Sequence, residues 1–297
     1  MTMSFKKDLE NARKNLLALD SNIVDTPNGK IEYLRSGKGV PILVSHGMTG
    51  GIDQGLGMVD NLIGHKYDII CVSRFGYLKT PLPEDASPKA QADAYAHLLD
   101  HLGIDRVVIY GNSAGGTSAI RFALQYPERC IALILHSSNV PGVLAPSPPK
   151  ILMKIVFGSN FIYWMLTTFF IKIMMLMFVS ASVKKQLTKQ QYVHVEDVFR
   201  SILPVNLRTK GILNDGYVSN PDINASYPFH EIQVPTLIIH AMDDPVAKFQ
   251  GAQELAQQIP KATLVSFETG GHLTLGHEEE IKKVIADFVS TYADKKS

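Results

Sequence analysis

RVVIYGNSAGG, residues Arg106 to Gly116, is a short β-branched run that ends in Gly111-Asn112-Ser113-Ala114-Gly115 and continues into an Ala/Gly-rich helical pattern. Gly-x-Ser-x-Gly between a buried strand and a helix is a tight turn that holds a serine in strained backbone geometry. The flanking positions have to be nearly bare for strand and helix to approach each other. The same turn aims the Ala114 N–H, at the helix start, toward an incoming oxyanion. At average glycine and serine frequencies of about 7% each, such a pattern arises by chance in roughly one chain in ten of this length. Its partners elsewhere in the chain therefore decide what it means.

Short apolar runs lie on either side. NIVDT and KIEYLR flank Pro27-Asn28-Gly29, a hairpin signal. PILVSH, DIICVS, RVVIYG, CIALILHSS, PTLIIHA and ATLVSF follow, and continuous runs of this kind suit strands buried on both faces of a parallel sheet. Helical patterns at Pro88 to Leu102, Ala114 to Tyr126, Lys248 to Gln258 and Glu278 to Tyr292 separate them. The alternation predicts an α/β fold, a mostly parallel central sheet of about eight strands flanked by helices. From Val140 to about Glu231 no clear strand appears, and the interval begins with the Pro-rich APSPPK. The expected division is a core of residues 1–139 and 232–297 with a helical cap of residues 140–231 inserted after strand six.

A serine hydroxyl needs a base, and the base needs an orienting acid. IIHAMDDPVA places Asp243 and Asp244 just past a strand and before Pro245. Asp244 is the preferred acid and Asp243 the alternative, since an aspartate there also serves as a helix cap. FETGGHLTLGHEEE, after the last strand, offers His272 behind two glycines that let the backbone bend, while His277 reads as part of the following helix start. The chain order is then Ser113, Asp244, His272. SHGMTGG, after the third strand, supplies Met48 N–H as a second oxyanion donor beside Ala114, and two fixed donors at a developing alkoxide are commonly a large term in acyl transfer.

With these residues assembled, the chain resembles the α/β-hydrolase superfamily from about Ile23 to Tyr292. It is similar to the capped branch, which includes esterases, C–C bond hydrolases and proline-iminopeptidase-like proteins. GGIDQG resembles the iminopeptidase loop, but the His-Gly-Gly-Pro-Gly form is absent. Arg74-Phe75-Gly76-Tyr77 keeps the arginine and one glycine of the superfamily's Arg-Gly-x-Gly-x-Ser and departs after them. Serine at the turn argues against haloalkane dehalogenases and epoxide hydrolases, whose relatives use aspartate there. The resemblance implies acyl transfer to water through Ser113, with cleavage of a carboxylic ester as the first reading. A C–C bond hydrolase, an acyltransferase or a low-turnover ligand receptor on the same scaffold are the alternatives.

Bulk properties narrow the classes further. A formal charge of +1 provides no field for a polyanion, and no zinc-finger, basic-region or RNA-binding signature is present, so nucleic acid is set aside. Cys71 and Cys130 sit in apolar runs and read as buried free thiols. The N-terminus lacks the apolar stretch of a secretory signal and reads as a surface helix with Phe5, Leu9, Leu16 and Leu17 on its sticky side. A cytoplasmic location is expected. No glutamate sits beside His97 to complete a zinc-peptidase pattern with His101, Asp100 falls on another helix face, and Gly55-Leu56-Gly57 lacks the context of a dinucleotide loop, so neither metal nor cofactor is implied.

FIYWMLTTFFIKIMMLMFVS, Phe161 to Ser180, raises the question of a membrane span. Ser113 precedes it while Asp244 and His272 follow, so one span would part residues that must meet. A two-span hairpin needs roughly 40 apolar residues. The stretch is expected to line a lid over Ser113, with Trp164, Met165 and Phe169 as substrate contacts. Five of the ten methionines lie between Met153 and Met177, and such flexible side chains tolerate varied apolar ligands. Lysines at the flanks leave room for shallow contact of the cap with a membrane surface.

Overall fold

A computed structural model describes residues 4–142, 147–179, 181–225 and 227–293. Helix α1 (Phe5–Leu17) precedes the hairpin β1 (Asn22–Thr26) and β2 (Gly29–Ser36), then β3 (Pro41–Ser45), α2 (Ile52–Met58), β4 (Asp68–Val72) and α3 (Pro88–Leu102). β5 (Val107–Asn112), α4 (Gly115–Gln125) and β6 (Cys130–His136) complete the first part. Helices alone follow: α5 (Lys150–Gly158), α6 (Asn160–Phe169), α7 (Ile171–Met174), α8 (Ala181–Gln186), α9 (Lys189–Ser201), α10 (Thr209–Asn214) and α11 (Asn220–Asp222). The chain then returns with β7 (Thr236–Ala241), α12 (Phe249–Gln258), β8 (Ala262–Phe267) and α13 (Glu278–Ala293). Ala145 and Pro146 of the Pro-rich lead-in lie outside the described residues.

The eight strands form one sheet in the order β1-β2-β4-β3-β5-β6-β7-β8. β1 and β2 pair antiparallel, as do β2 and β4, and every later pairing is parallel. Every residue of β4 and of β7 is buried, which explains their unbroken apolar runs. Edge strand β8 is partly exposed along most of its length instead, with only Phe267 buried. One face of the sheet packs Tyr95, Leu98, Phe122 and Leu255 from α3, α4 and α12, and the other packs Ile52, Ile281, Ile285 and Val289 from α2 and α13. Helix α3 shows why boundaries were readable: Ser87 accepts from Ala90 N–H, Pro88 takes the first helical position, and Gly103 closes the helix at φ 63°.

The helical segment between β6 and β7 meets the rest through three apolar clusters: one joins Tyr163, Ile202 and Ile212 to Tyr77, another joins Met175, Val179 and Phe199 to Leu275, and Ile223 and Tyr227 enter the main core. The apolar stretch is not one helix, because Phe170 leaves helical geometry (φ −119°, ψ 17°) and separates α6 from α7. Across that break Tyr163, Thr167, Ile171, Met175 and Val179 recur every four residues and are all buried. Phe169, Ile173 and Met177, offset from that row, are exposed. The stretch therefore lines the interior along one stripe only. Among the described residues no single helix is long and apolar enough to cross a membrane; α5 and α6 reach that length only together, and they are bent by 85°.

β5 and α4 touch almost backbone to backbone, since a Cβ on Gly111 would lie 2.7 Å from Gly116 Cα and 2.8 Å from Ala119 Cβ. Gly111→Ala is expected to cost roughly 1–3 kcal/mol, the usual range for forcing a methyl into a packed site. Urea denaturation checks this, and an unchanged midpoint contradicts the close approach.

Candidate active site

Ser113 stands between β5 and α4 at φ 48°, a left-handed conformation unusual for a residue with a Cβ. Backbone bonds hold it there. Its N–H donates to His136 O (3.1 Å), and its carbonyl accepts from Gly116 N (3.0 Å) and Asn139 N (3.1 Å). The turn after β3 lies directly beside it, because a Cβ on Gly47 would come within 3.1 Å of Ser113 Cβ. Met48 belongs to this turn and Ala114 to the start of α4, and among the described residues neither N–H has a hydrogen-bond partner.

The loop after β8 carries His272 to the serine. Gly270 (φ 132°) and Gly271 (φ 62°) make the bend, and a Cβ on Gly271 would lie 2.7 Å from Phe178 O. His272 Nε2 lies 2.9 Å from Ser113 Oγ, and Nδ1 lies 2.8 Å from Asp244 Oδ2. Asp244 Oδ1 accepts from Val246 N–H (2.7 Å) and Ala247 N–H (3.1 Å). Asp243, the alternative acid, binds Gly271 N–H at 2.8 Å and so anchors the histidine loop instead. Neither aspartate caps α12, whose first turn has no side-chain cap.

Burial works against the Asp244 charge, but His272, with hydrogen bonds from His272 and Val246, outweighs it and holds the carboxyl below the ordinary carboxylate range. An ionised carboxylate only accepts, so Nδ1 of His272 carries the proton and Nε2 presents a lone pair to the serine hydroxyl. His240 and His136 lie behind this pair. His240 Nε2 reaches Ala247 O at 2.8 Å, and burial lowers its pKa. His136 is pushed down to about 3, by burial first and then by the two neighbouring histidines, and its ring bridges Tyr110 Oη (2.6 Å) and Thr274 Oγ1 (2.9 Å). Neither histidine showed a partner pattern in the sequence.

Two buried guanidiniums brace the turn that carries Met48. Arg74 Nε donates to His46 O (2.8 Å), while its other nitrogens hold Asp215 of the helical segment at 2.7 and 2.5 Å. Tyr77 Oη also donates to Asp215. Arg208, from the helical segment, donates to Gly50 O (2.6 Å) and to both oxygens of Asp53 (3.1 and 2.6 Å). The ion pairs thus cross in opposite directions between the sheet domain and the helices. His46 accepts from Arg74 N–H at Nε2 (3.0 Å) and donates from Nδ1 to Gly47 O (2.7 Å). Burial and then the Arg74 charge keep its pKa well below the usual histidine value.

The three residues expected to touch substrate sit differently from the triad-like group. Trp164 Nε1 donates to Asp8 Oδ2 (2.9 Å), and its ring packs with Phe5 of α1 and with Phe161 and Phe169. Phe169 is 68% exposed, and Met165 is half-buried on α6. Phe178 of this stretch reaches the site. Its carbonyl accepts from His272 N–H (2.8 Å), and its ring centroid lies 5.7 Å from the imidazole.

The sequence model of the alpha/beta hydrolase fold matches residues 40–278. The chain belongs to the α/β-hydrolase fold family. An uncharacterised hydrolase of Bacillus subtilis, YcgS, is 30% identical over 261 residues, 84% of this chain and 91% of that one. A 2-hydroxy-6-oxononadienedioate/2-hydroxy-6-oxononatrienedioate hydrolase of Dechloromonas aromatica is 27% identical over 88% of this chain and 91% of its own length. Among solved structures, an alpha/beta hydrolase fold protein from Nakamurella multipartita superposes with a TM-score of 0.73 at 26% identity, covering 92% of this chain and 99% of that one. The protein is thus a hydrolase of this family.

Removing Arg208 leaves Asp53 without its partner, and truncating one member of a buried pair commonly costs 3–5 kcal/mol. Arg208→Met is expected to destabilise by about 3 kcal/mol in guanidinium denaturation, and Asp53→Leu added to it to cost less than the two single changes summed. Strict additivity contradicts the coupling.

Proposed function

We propose that this hydrolase is a serine esterase that cleaves carboxylic esters carrying an apolar acyl or aromatic group. The observation that carries the reading is the continuous chain Ser113 Oγ–His272–Asp244, with 2.9 and 2.8 Å between successive atoms. Ser113 attacks the ester carbonyl as Nε2 of His272 accepts its proton. Asp244 keeps the imidazole in the required tautomer and stabilises the imidazolium that forms. Met48 N–H and Ala114 N–H receive the negative charge on the carbonyl oxygen. The imidazolium protonates the leaving alcohol, and water enters to cleave the acyl-enzyme by the reverse sequence of proton transfers. Residues 140–231 act as the cap, and Phe178 forms its apolar edge at the imidazole.

C–C bond hydrolysis is the second reading, favoured by relatives named as 2-hydroxy-6-oxo-dienedioate hydrolases. Those names denote dianionic substrates. Here the guanidiniums bracing the oxyanion turn, Arg74 and Arg208, are already matched by Asp215 and Asp53. That internal pairing supports an uncharged ester over a dicarboxylate.

Hydrolysis of nitrophenyl esters of graded chain length tests the assignment. Ser113→Ala is expected to lose at least about 10³-fold in kcat and Asp244→Asn roughly 10³–10⁴-fold, while Asp243→Asn, which touches only the loop backbone, loses far less. Full turnover by Ser113→Ala contradicts the reading.

A further inference from the structure

We infer that the corner formed by α6, α7 and the turn after them docks on the surface of an anionic lipid bilayer. Phe169, Phe170, Ile173, Leu176 and Met177 are each between 43% and 68% exposed and fall within nine residues of chain. They are the outward counterpart of the buried stripe Tyr163, Thr167, Ile171, Met175 and Val179. Phe169 ends α6, Ile173 lies on α7 and Met177 closes the turn after it, so the exposed set runs across the whole corner. Isolated exposed apolar residues are ordinary, but a contiguous set of large ones marks an interaction surface.

Charge names the occupant. Between Cys130 and Val195 the chain holds six lysines and no aspartate or glutamate. Lys172 stands exposed inside the apolar set, and Lys184 Nζ donates to the Lys172 carbonyl, which brings α8 alongside. Lys185, the next residue, is exposed. On the neighbouring α1, Asp8 is engaged by Trp164. Bulky apolar side chains with cations among and beside them match the headgroup boundary of a negatively charged bilayer, where the rings and aliphatic chains enter and the lysines meet phosphate. A second copy of this chain would instead bring the same lysines against one another. The bend of 85° between α5 and α6 suits lying on a surface rather than crossing it. Docking here would seat the bilayer one residue from Phe178, whose carbonyl holds the His272 backbone.

Sedimentation of the full chain with vesicles tests this, comparing phosphatidylcholine alone with an equal mixture of phosphatidylglycerol and phosphatidylcholine. The protein is expected in the pellet with the mixed vesicles, far less with phosphatidylcholine alone, and less again at high salt. Lys172→Gln with Lys185→Gln is expected to weaken partitioning roughly 25-fold, the product of about fivefold for each lysine. Ile173→Ser with Leu176→Ser is expected to abolish pelleting while the thermal melt by circular dichroism remains cooperative. Absence from the mixed-vesicle pellet overturns the proposal, and so does pelleting that neither variant reduces. A concentration-dependent dimer in sedimentation velocity, dissolved by Ile173→Ser and accompanied by no vesicle binding, assigns the face to self-association and overturns it as well.

Discussion

A left-handed backbone conformation is unfavourable for any residue bearing a Cβ, and Ser113 is held in it at φ 48°. Three backbone hydrogen bonds fix the turn, and glycines at 111, 115 and 116 let β5, α4 and the neighbouring strands close around it. A Cβ on Gly115 would run into the carbonyl oxygens of Ser45 and His46, and one on Gly116 into Ser138. The consequence is a hydroxyl raised at the carboxyl end of the sheet. The loops after β3, β7 and β8 arrive at that same end because the strands they leave are parallel to β5. Parallel pairing thus turns residues separated by 159 positions, Ser113 and His272, into hydrogen-bonded neighbours.

The turn that carries Met48 is braced from both sides. Arg74 reaches it from the sheet domain and Arg208 from the helices, and each is neutralised by a carboxylate of the other part. Burial opposes the Arg74 charge, and Asp215 outweighs that opposition. This crossed arrangement ties the position of the helical segment to the geometry of the Met48 turn, so a shift in one is felt in the other. It also leaves the local charge close to balanced.

The sheet was legible in the sequence because its central strands are buried on both faces and read as unbroken apolar runs, and α3 because Ser87, Pro88 and Gly103 mark its ends. The meeting of Ser113 and His272 was legible because each follows its own strand in a turn of small residues. Position immediately before Pro245 favours Asp244 over Asp243 without deciding between them. Adjacent side chains leave a turn in different directions, and only the coordinates show which one faces the imidazole. Arg208 and Asp53 gave no signal, being 155 residues apart in unremarkable contexts. The long apolar stretch misled in detail: hydropathy does not record that one stripe faces inward while Phe169 and Ile173 face out. Trp164 is held by Asp8 of α1, a contact that no local pattern announces.

The central claim is that His272 activates Ser113. The rate at which a serine-directed phosphonate modifies the protein, followed by intact mass and located by peptide mapping, tests it most directly. One adduct on Ser113 is predicted, forming at least about 10²-fold more slowly in His272→Asn, as expected when a general base is lost. An adduct elsewhere, or labelling of His272→Asn at the unaltered rate, would contradict the account.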